Sequence, residues 1–353
     1  MESNKSMSKL DVQKYALTTQ THGTPLIAPM KKYTRPGSVA KDGRVILLLG
    51  NGAGFLKETW EPVIEDLFNL DDGKSGTYIV REAWALDCQN HGEGCTVNED
   101  LLSRDQGLLT IWDYADAFAS LVKSGLLGII DPTKTQIVLC GHSAGAVGVT
   151  LSTSFFNPPS RLPFSGLILV DPPIWSKSMA GPENEMYKIV EATTPVRLDV
   201  WDSREAAVKW FKKRIPWAMW DERVLDIYLK YGLRNLPTAY YPDKTSGVTL
   251  TTHRLAENVA FTGKRFSLDA VDRLNQICKH IPVHLIYGDR NDMFERELQD
   301  SMISEQEGRT YASIARLEDV GHLVVQEAPT LLAETLFSIL SKPNPVAVPT
   351  SKL

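Results

Sequence analysis

From residue 44 onward, short unbroken apolar runs alternate with stretches of helical period. Arg44–Leu49 (RVILLL) is the first such run, followed by a glycine-rich turn and a helical pattern over Lys57–Leu70. Tyr78–Leu86, Gln136–Cys140 and Leu167–Val170 repeat it, with helices expected over Asp105–Lys123 and from Ala144. Unbroken apolar strands are buried on both faces, so the pattern predicts an α/β protein whose mostly parallel sheet carries helices on both sides. Ahead of it, Lys14–Thr19 and Pro25–Thr34 flank a His-Gly-Thr-Pro turn and form an opening hairpin. The strand signal returns at Pro282–Tyr287 and Tyr311–Leu317 and gives way to a final helix over Val325–Leu340. Eight strands are expected in all.

Between the sixth and seventh of these strands the alternation stops. Residues 172–272 read as several helices with irregular connections, and they hold five of the eight tryptophans: Trp175, Trp201, Trp210, Trp217 and Trp220. An apolar, aromatic helical insertion at that point is expected to lie as a lid over the carboxyl edge of the sheet, where such folds bind ligands. The expected organisation is a core of residues 1–171 and 273–341, a lid of residues 172–272, and a flexible tail of residues 342–353. Each tryptophan taken singly is accounted for by the insertion's own packing.

Composition narrows the possible partners. A net charge of −5 provides no basic field for nucleic acid. Cys88, Cys95, Cys140 and Cys278 form no C-x-x-C pair and no zinc-ligand spacing, so they are expected as unpaired thiols in a reducing compartment. No metal or organic cofactor is implied. The N-terminal residues lack the apolar segment of a secretory signal, and no apolar run is long enough to span a bilayer. Ser351-Lys352-Leu353 is the S-K-L tripeptide read by the peroxisomal import receptor. The proline-rich PNPVAVPT before it is expected to leave it exposed, and the expected location is the peroxisomal matrix.

The candidate chemistry centres on Gly141-His-Ser-Ala-Gly145, a G-x-S-x-G between the strand QIVLC and a helix. There a sharp turn lifts the serine hydroxyl above the sheet and points a helix N-terminus at the site of a developing oxyanion. Ser143 is therefore the expected nucleophile. His322 follows the last strand and precedes the last helix, the position of the general base in an α/β-hydrolase. His22, His91, His142, His253, His280 and His284 fit structural or solvated roles better. Three strand-end aspartates can supply the acid that orients the imidazole: Asp171 after LILV, and Asp292 or Asp289 after VHLIY. Each also fits a plain turn-starting role. Ala144 is the expected first oxyanion donor, with a second from Gly54 or Phe55 in the Gly50–Phe55 loop. That loop also resembles a dinucleotide-binding turn. Phe55 stands where the third glycine would be, however, and no acidic residue follows about twenty positions on at a strand end, Asp87 being too distant.

Gly54-Phe-Leu-Lys-Glu-Thr-Trp-Glu-Pro, Asp87-Cys-Gln-Asn-His-Gly-Glu-Gly with Val97-Asn98, the Gly141 elbow, Leu169-Val-Asp-Pro-Pro and Val320-Gly-His-Leu-Val together resemble one family. It is that of the fungal peroxisomal α/β-hydrolases. This group includes hydrolases of host-selective AK-type toxin biosynthesis, the acyl-CoA hydrolase of the mycophenolic acid pathway and a yeast peroxisomal lipase. The resemblance runs from about Gly43 to Leu340. It implies hydrolysis of an acyl ester or acyl-CoA thioester with an apolar acyl chain, within secondary-metabolite synthesis or general lipid metabolism. It also implies a triad acid from the sixth strand, which favours Asp171. Asn51-Gly52 departs from the His-Gly of many hydrolases at this place. Lys209, Lys212, Lys213 and Arg214 are candidates to meet coenzyme A phosphates, or else a solvated helix face. A non-hydrolytic binding protein on the same fold is the alternative from another class. Ser143 at the elbow disfavours epoxide hydrolases and dehalogenases, which use an aspartate there.

Overall fold

The computed structural model describes residues 10–37, 43–71, 78–105, 107–179, 185–262, 265–304 and 307–342. Ser351, Lys352 and Leu353, and the expected tail beyond residue 342, lie outside the described residues. Eight strands form one sheet: β1 (Asp11–Thr21), β2 (Thr24–Thr34), β3 (Val45–Gly50), β4 (Val80–Leu86), β5 (Gln136–His142), β6 (Gly166–Val170), β10 (Val283–Gly288) and β11 (Ser313–Leu317). Their order is β1-β2-β4-β3-β5-β6-β10-β11. β1 and β2 are antiparallel, as are β2 and β4, and all other neighbours run parallel. The hairpin closes on His22-Gly23, both with positive φ (48° and 79°), the geometry a two-residue turn needs to match strand twist.

Every residue of β3 is buried, and its side chains divide between two cores. Ile46 and Leu48 pack on one face with the Ile111–Lys123, Ala144–Ser152 and Arg265–Ile277 helices. Val45, Leu47 and Leu49 pack on the other with the Glu61–Leu70 and Pro329–Ser341 helices. Helix ends differ from expectation for local reasons. The helix expected from Asp105 starts at Ile111, where Thr110 and Asp113 form a reciprocal capping box. The helix expected from Lys57 is a 3-10 turn over Lys57–Trp60, and the α-helix begins at Glu61 with Pro62 in its first turn. The last helix is broken at Ala328, ahead of Pro329.

Residues 172–272 hold helices Glu185–Thr193, Arg204–Phe211, Glu222–Tyr231 and Arg254–Thr262. They also hold a small antiparallel sheet of β7 (Val200–Trp201), β8 (Leu233–Asn235) and β9 (Val248–Leu250), in the order β7-β9-β8, which the apolar pattern did not signal. Strands of two or three residues are too short to register a period. Trp201, Trp217 and Trp220 are buried with Phe211 and Tyr228 in a separate aromatic cluster, with Trp210 against it. The Arg265–Ile277 helix runs across the expected boundary at 272, and Ala270, Val271, Leu274 and Ile277 join the sheet's own core.

Candidate active site

Ser143 joins β5 to the Ala144–Ser152 helix with φ 52° and ψ −124°, a conformation that costs a non-glycine residue roughly 1–3 kcal/mol. The surrounding packing enforces it. A Cβ on Gly141 would stand 2.4 Å from the Gly145 carbonyl oxygen, and one on Gly145 would stand 2.3 Å from that of Gly50. Only glycines let β3, β5 and the helix approach so closely.

His322 lies in the turn after β11. Its Nε2 is 2.9 Å from Ser143 Oγ, and its Nδ1 is 2.5 Å from Asp171 Oδ2. Asp171 ends β6, is 2% exposed, and has φ 40°. Its other oxygen accepts the Gly288 N–H at 3.3 Å and Gln299 Nε2 at 3.2 Å. Burial pushes the Asp171 carboxyl above the ordinary aspartate value, while its contacts with His322 and Gly288 pull it back down. A serine, an imidazole and a carboxylate in this chain of contacts can pass a proton from hydroxyl to ring while the acid holds the ring's tautomer.

The other two aspartates are placed differently. Asp292 accepts the backbone N–H of His322 at 2.8 Å and is bound by Arg290. Asp289 pairs with Arg296 at 3.5 Å. His142 is fully buried, and its Nε2 donates to the His322 carbonyl at 2.8 Å. Burial lowers its pKa to about 3, with the nearby His322 adding to the effect. The peptide units flanking His322 are thus held from both sides, by a carboxylate at the N–H and an imidazole at the C=O. Neither role is visible in the sequence, because both rest on partners more than 25 positions away.

In the Gly50–Phe55 loop, Phe55 N–H donates to the Gly52 carbonyl at 3.2 Å. Among the described residues, the N–H groups of Ala53, Gly54 and Ala144 have no protein acceptor. Asn51 takes the structural place of the more usual histidine: its Nδ2 donates to the Phe55 carbonyl at 2.9 Å and its Oδ1 accepts from Tyr114 Oη at 3.0 Å. The far end of the loop is tied down by charge. Asp87 is wholly buried and accepts both Lys57 N–H at 2.8 Å and Lys57 Nζ at 2.7 Å.

Ser143, His322, Ala53, Gly54 and Phe55 open onto a cavity of about 640 Å³. Its remaining walls come largely from the insertion and are mostly apolar, including Val190, Ile215, Trp217, Trp220 and Phe261. Lys212, Lys213 and Arg214 are exposed just ahead of Ile215 and Pro216, which line it. No group of three or more metal-ligating side chains occurs among the described residues, and no described helix is long and apolar enough to cross a membrane.

Known proteins share this arrangement of chain and fold. The model of the alpha/beta hydrolase family matches residues 45–335. The type I acyl-CoA thioesterase mpaH' of Penicillium brevicompactum is 30% identical over 273 residues, covering 72% of this chain and 59% of the relative. The type I acyl-CoA thioesterase mpaH of Penicillium roqueforti is 28% identical over 246 residues, covering 66% and 50% respectively. The chain thus spans only about half to three fifths of the curated relatives it matches. Among solved structures, the peroxisomal alpha-beta-hydrolase Lpx1 of Saccharomyces cerevisiae superposes with a TM-score of 0.75 at 16% identity, over 98% of this chain and 94% of that one.

Proposed function

The chain is a member of the alpha/beta hydrolase family, and on that premise we propose that it cleaves acyl-CoA thioesters or acyl esters through Ser143, His322 and Asp171. The observation that carries the reading is the 2.9 Å contact between His322 Nε2 and Ser143 Oγ, with Asp171 on the opposite ring nitrogen. His322 takes the hydroxyl proton as Ser143 attacks the carbonyl carbon. The C–O or C–S bond to the leaving group then breaks, and that group departs with the proton from His322. Water, deprotonated by the same imidazole, adds to the acyl-serine and releases the acid. The Ala144 N–H and a free N–H of the Ala53–Gly54 segment hold the oxyanion through both halves.

The thioester reading draws on the Penicillium relatives being acyl-CoA thioesterases, and the apolar cavity suits an acyl chain. The part of residues 172–272 that precedes the Arg265–Ile277 helix acts as the lid over that chain. The exposed basic run from Lys209 to Arg214, just ahead of the cavity-lining Ile215 and Pro216, is assigned to the coenzyme A phosphates. The peroxisomal setting, addressed by Ser351-Lys352-Leu353, and a place in secondary-metabolite synthesis complete the proposal. A fluorophosphonate probe tests its centre. The native protein should be labelled and Ser143→Ala should not. Equal labelling of both, or labelling of neither, would refute an activated Ser143 and favour a binding protein on the same fold.

A further inference from the structure

Four carboxylate or guanidinium groups line the large cavity: Asp292, Glu327, Arg197 and Glu257. The first two are accounted for at the His322 end, where Arg290 holds both. Arg197 and Glu257 are not. They form a two-point pair, with Arg197 Nη1 3.0 Å from Glu257 Oε1 and Nη2 2.5 Å from Oε2, and their side chains are 22% and 9% exposed. The carboxylate lies against the oxyanion loop, since a Cβ on Gly54 would meet Glu257 Cδ at 2.7 Å. Tyr228 lines the same wall.

The hydrogen-bond inventory of this cluster is incomplete. Guanidinium offers five N–H donors, and Glu257 takes two of them. The other three have no acceptor among the described residues, and neither does the Tyr228 hydroxyl. Burial pushes the Tyr228 phenol up, so its proton stays on. A plain hydrocarbon chain filling the cavity would strip water from these donors and replace it with nothing, which is the condition under which a site rejects a substrate lacking a polar group.

We propose that Arg197, braced by Glu257 and joined by Tyr228, is the specificity element for a neutral oxygen function carried on the acyl chain, such as a hydroxyl or keto group. The inference rests on the hydrolase reading above and adds to it the class of chain. Neutral oxygen fits better than a carboxylate because the pair already sums to zero charge. A second anion would be buried beside Glu257 with no cation of its own.

The test compares kcat/KM for p-nitrophenyl decanoate, for the series of its monohydroxy derivatives and for the ester whose chain ends in a carboxylate. The expected result is that at least one hydroxylated ester exceeds the plain ester by at least about tenfold. That ratio should fall severalfold in Tyr228→Phe, and in the double variant Arg197→Met/Glu257→Gln, which leaves no unpaired charge. If the ester series shows no such preference, if both substrates slow together so that the ratio holds, or if the carboxylated ester is best, the proposal is overturned. A lid-bracing role alone would give the second of these. Absence of turnover with every ester would overturn the hydrolase reading and the specificity element with it, whereas turnover without discrimination overturns the specificity element alone.

Discussion

Asp292 accepts the backbone N–H of His322 at 2.8 Å, while the ring of the same histidine is held by Asp171 at 2.5 Å. Two carboxylates from neighbouring strand ends therefore divide one residue between them. Only the carboxylate on the ring can stabilise an imidazolium directly.

That division predicts unequal effects of the same substitution. Asp171→Asn should lower kcat by about three to four orders of magnitude, because an amide on Nδ1 favours the wrong tautomer and stabilises no charge. Asp292→Asn keeps an oxygen that can accept the His322 N–H, so turnover should fall by about tenfold or less. Steady-state rates of the two variants with one ester decide the matter, and equal losses would remove Asp171 from the role assigned to it.

Lys57 is fully buried among Asp87, Glu58 and Glu93. Lys57→Met would leave Asp87 buried without its cation, at a cost of about 3–5 kcal/mol. Because Asp87 also holds the Lys57 N–H just past the Gly50–Phe55 loop, turnover should drop along with the thermal midpoint. Calorimetry beside an ester assay checks this. An unchanged midpoint would mean that the ion pairs contribute nothing net.

Acid should destabilise the fold well above the carboxylate range. Burial lowers His91, His253 and His284 to about 4 and His142 to about 3. In the unfolded chain each takes its proton near pH 6.5. Between those values the unfolded state binds more protons, so stability falls as pH drops from about 6.5 to 4, by up to about 1.4 kcal/mol per pH unit for each imidazole. Asp87, raised to about 6 by burial, and Asp116 and Asp171, also raised by burial, act in the opposite sense because the folded state protonates them first. Four imidazoles against three carboxyls leave the histidines' sign. Urea midpoints measured from pH 7 to 4.5 should decline, and a flat or rising series would contradict the assignment.

Removal of Ser351-Lys352-Leu353 should turn a punctate, peroxisomal distribution of an N-terminally tagged protein into a diffuse one, with ester hydrolysis in the lysate unchanged. Retained puncta would show that another segment carries the address.

Much of this architecture could be read from residue order. The unbroken apolar run of β3, the glycines of the elbow and the placement of His322 after β11 are local signals of burial, close approach and chain position. The small β7-β9-β8 sheet was not legible, because two or three residues cannot show a period. The start of the Ile111–Lys123 helix was misjudged because Thr110 and Asp113 stop it by capping, which the apolar pattern does not report.

By itself the chain determined a parallel sheet, a glycine-flanked serine at a strand-to-helix turn, and a histidine beyond the last strand. Local sterics and burial periodicity suffice for those. Which aspartate meets the imidazole, what Asn51 holds in place of a histidine, and that Arg197 pairs with Glu257 in the wall of a cavity were decided only by tertiary structure. Each depends on angles and distances between residues 4 to 151 positions apart, and composition and spacing carry no record of those.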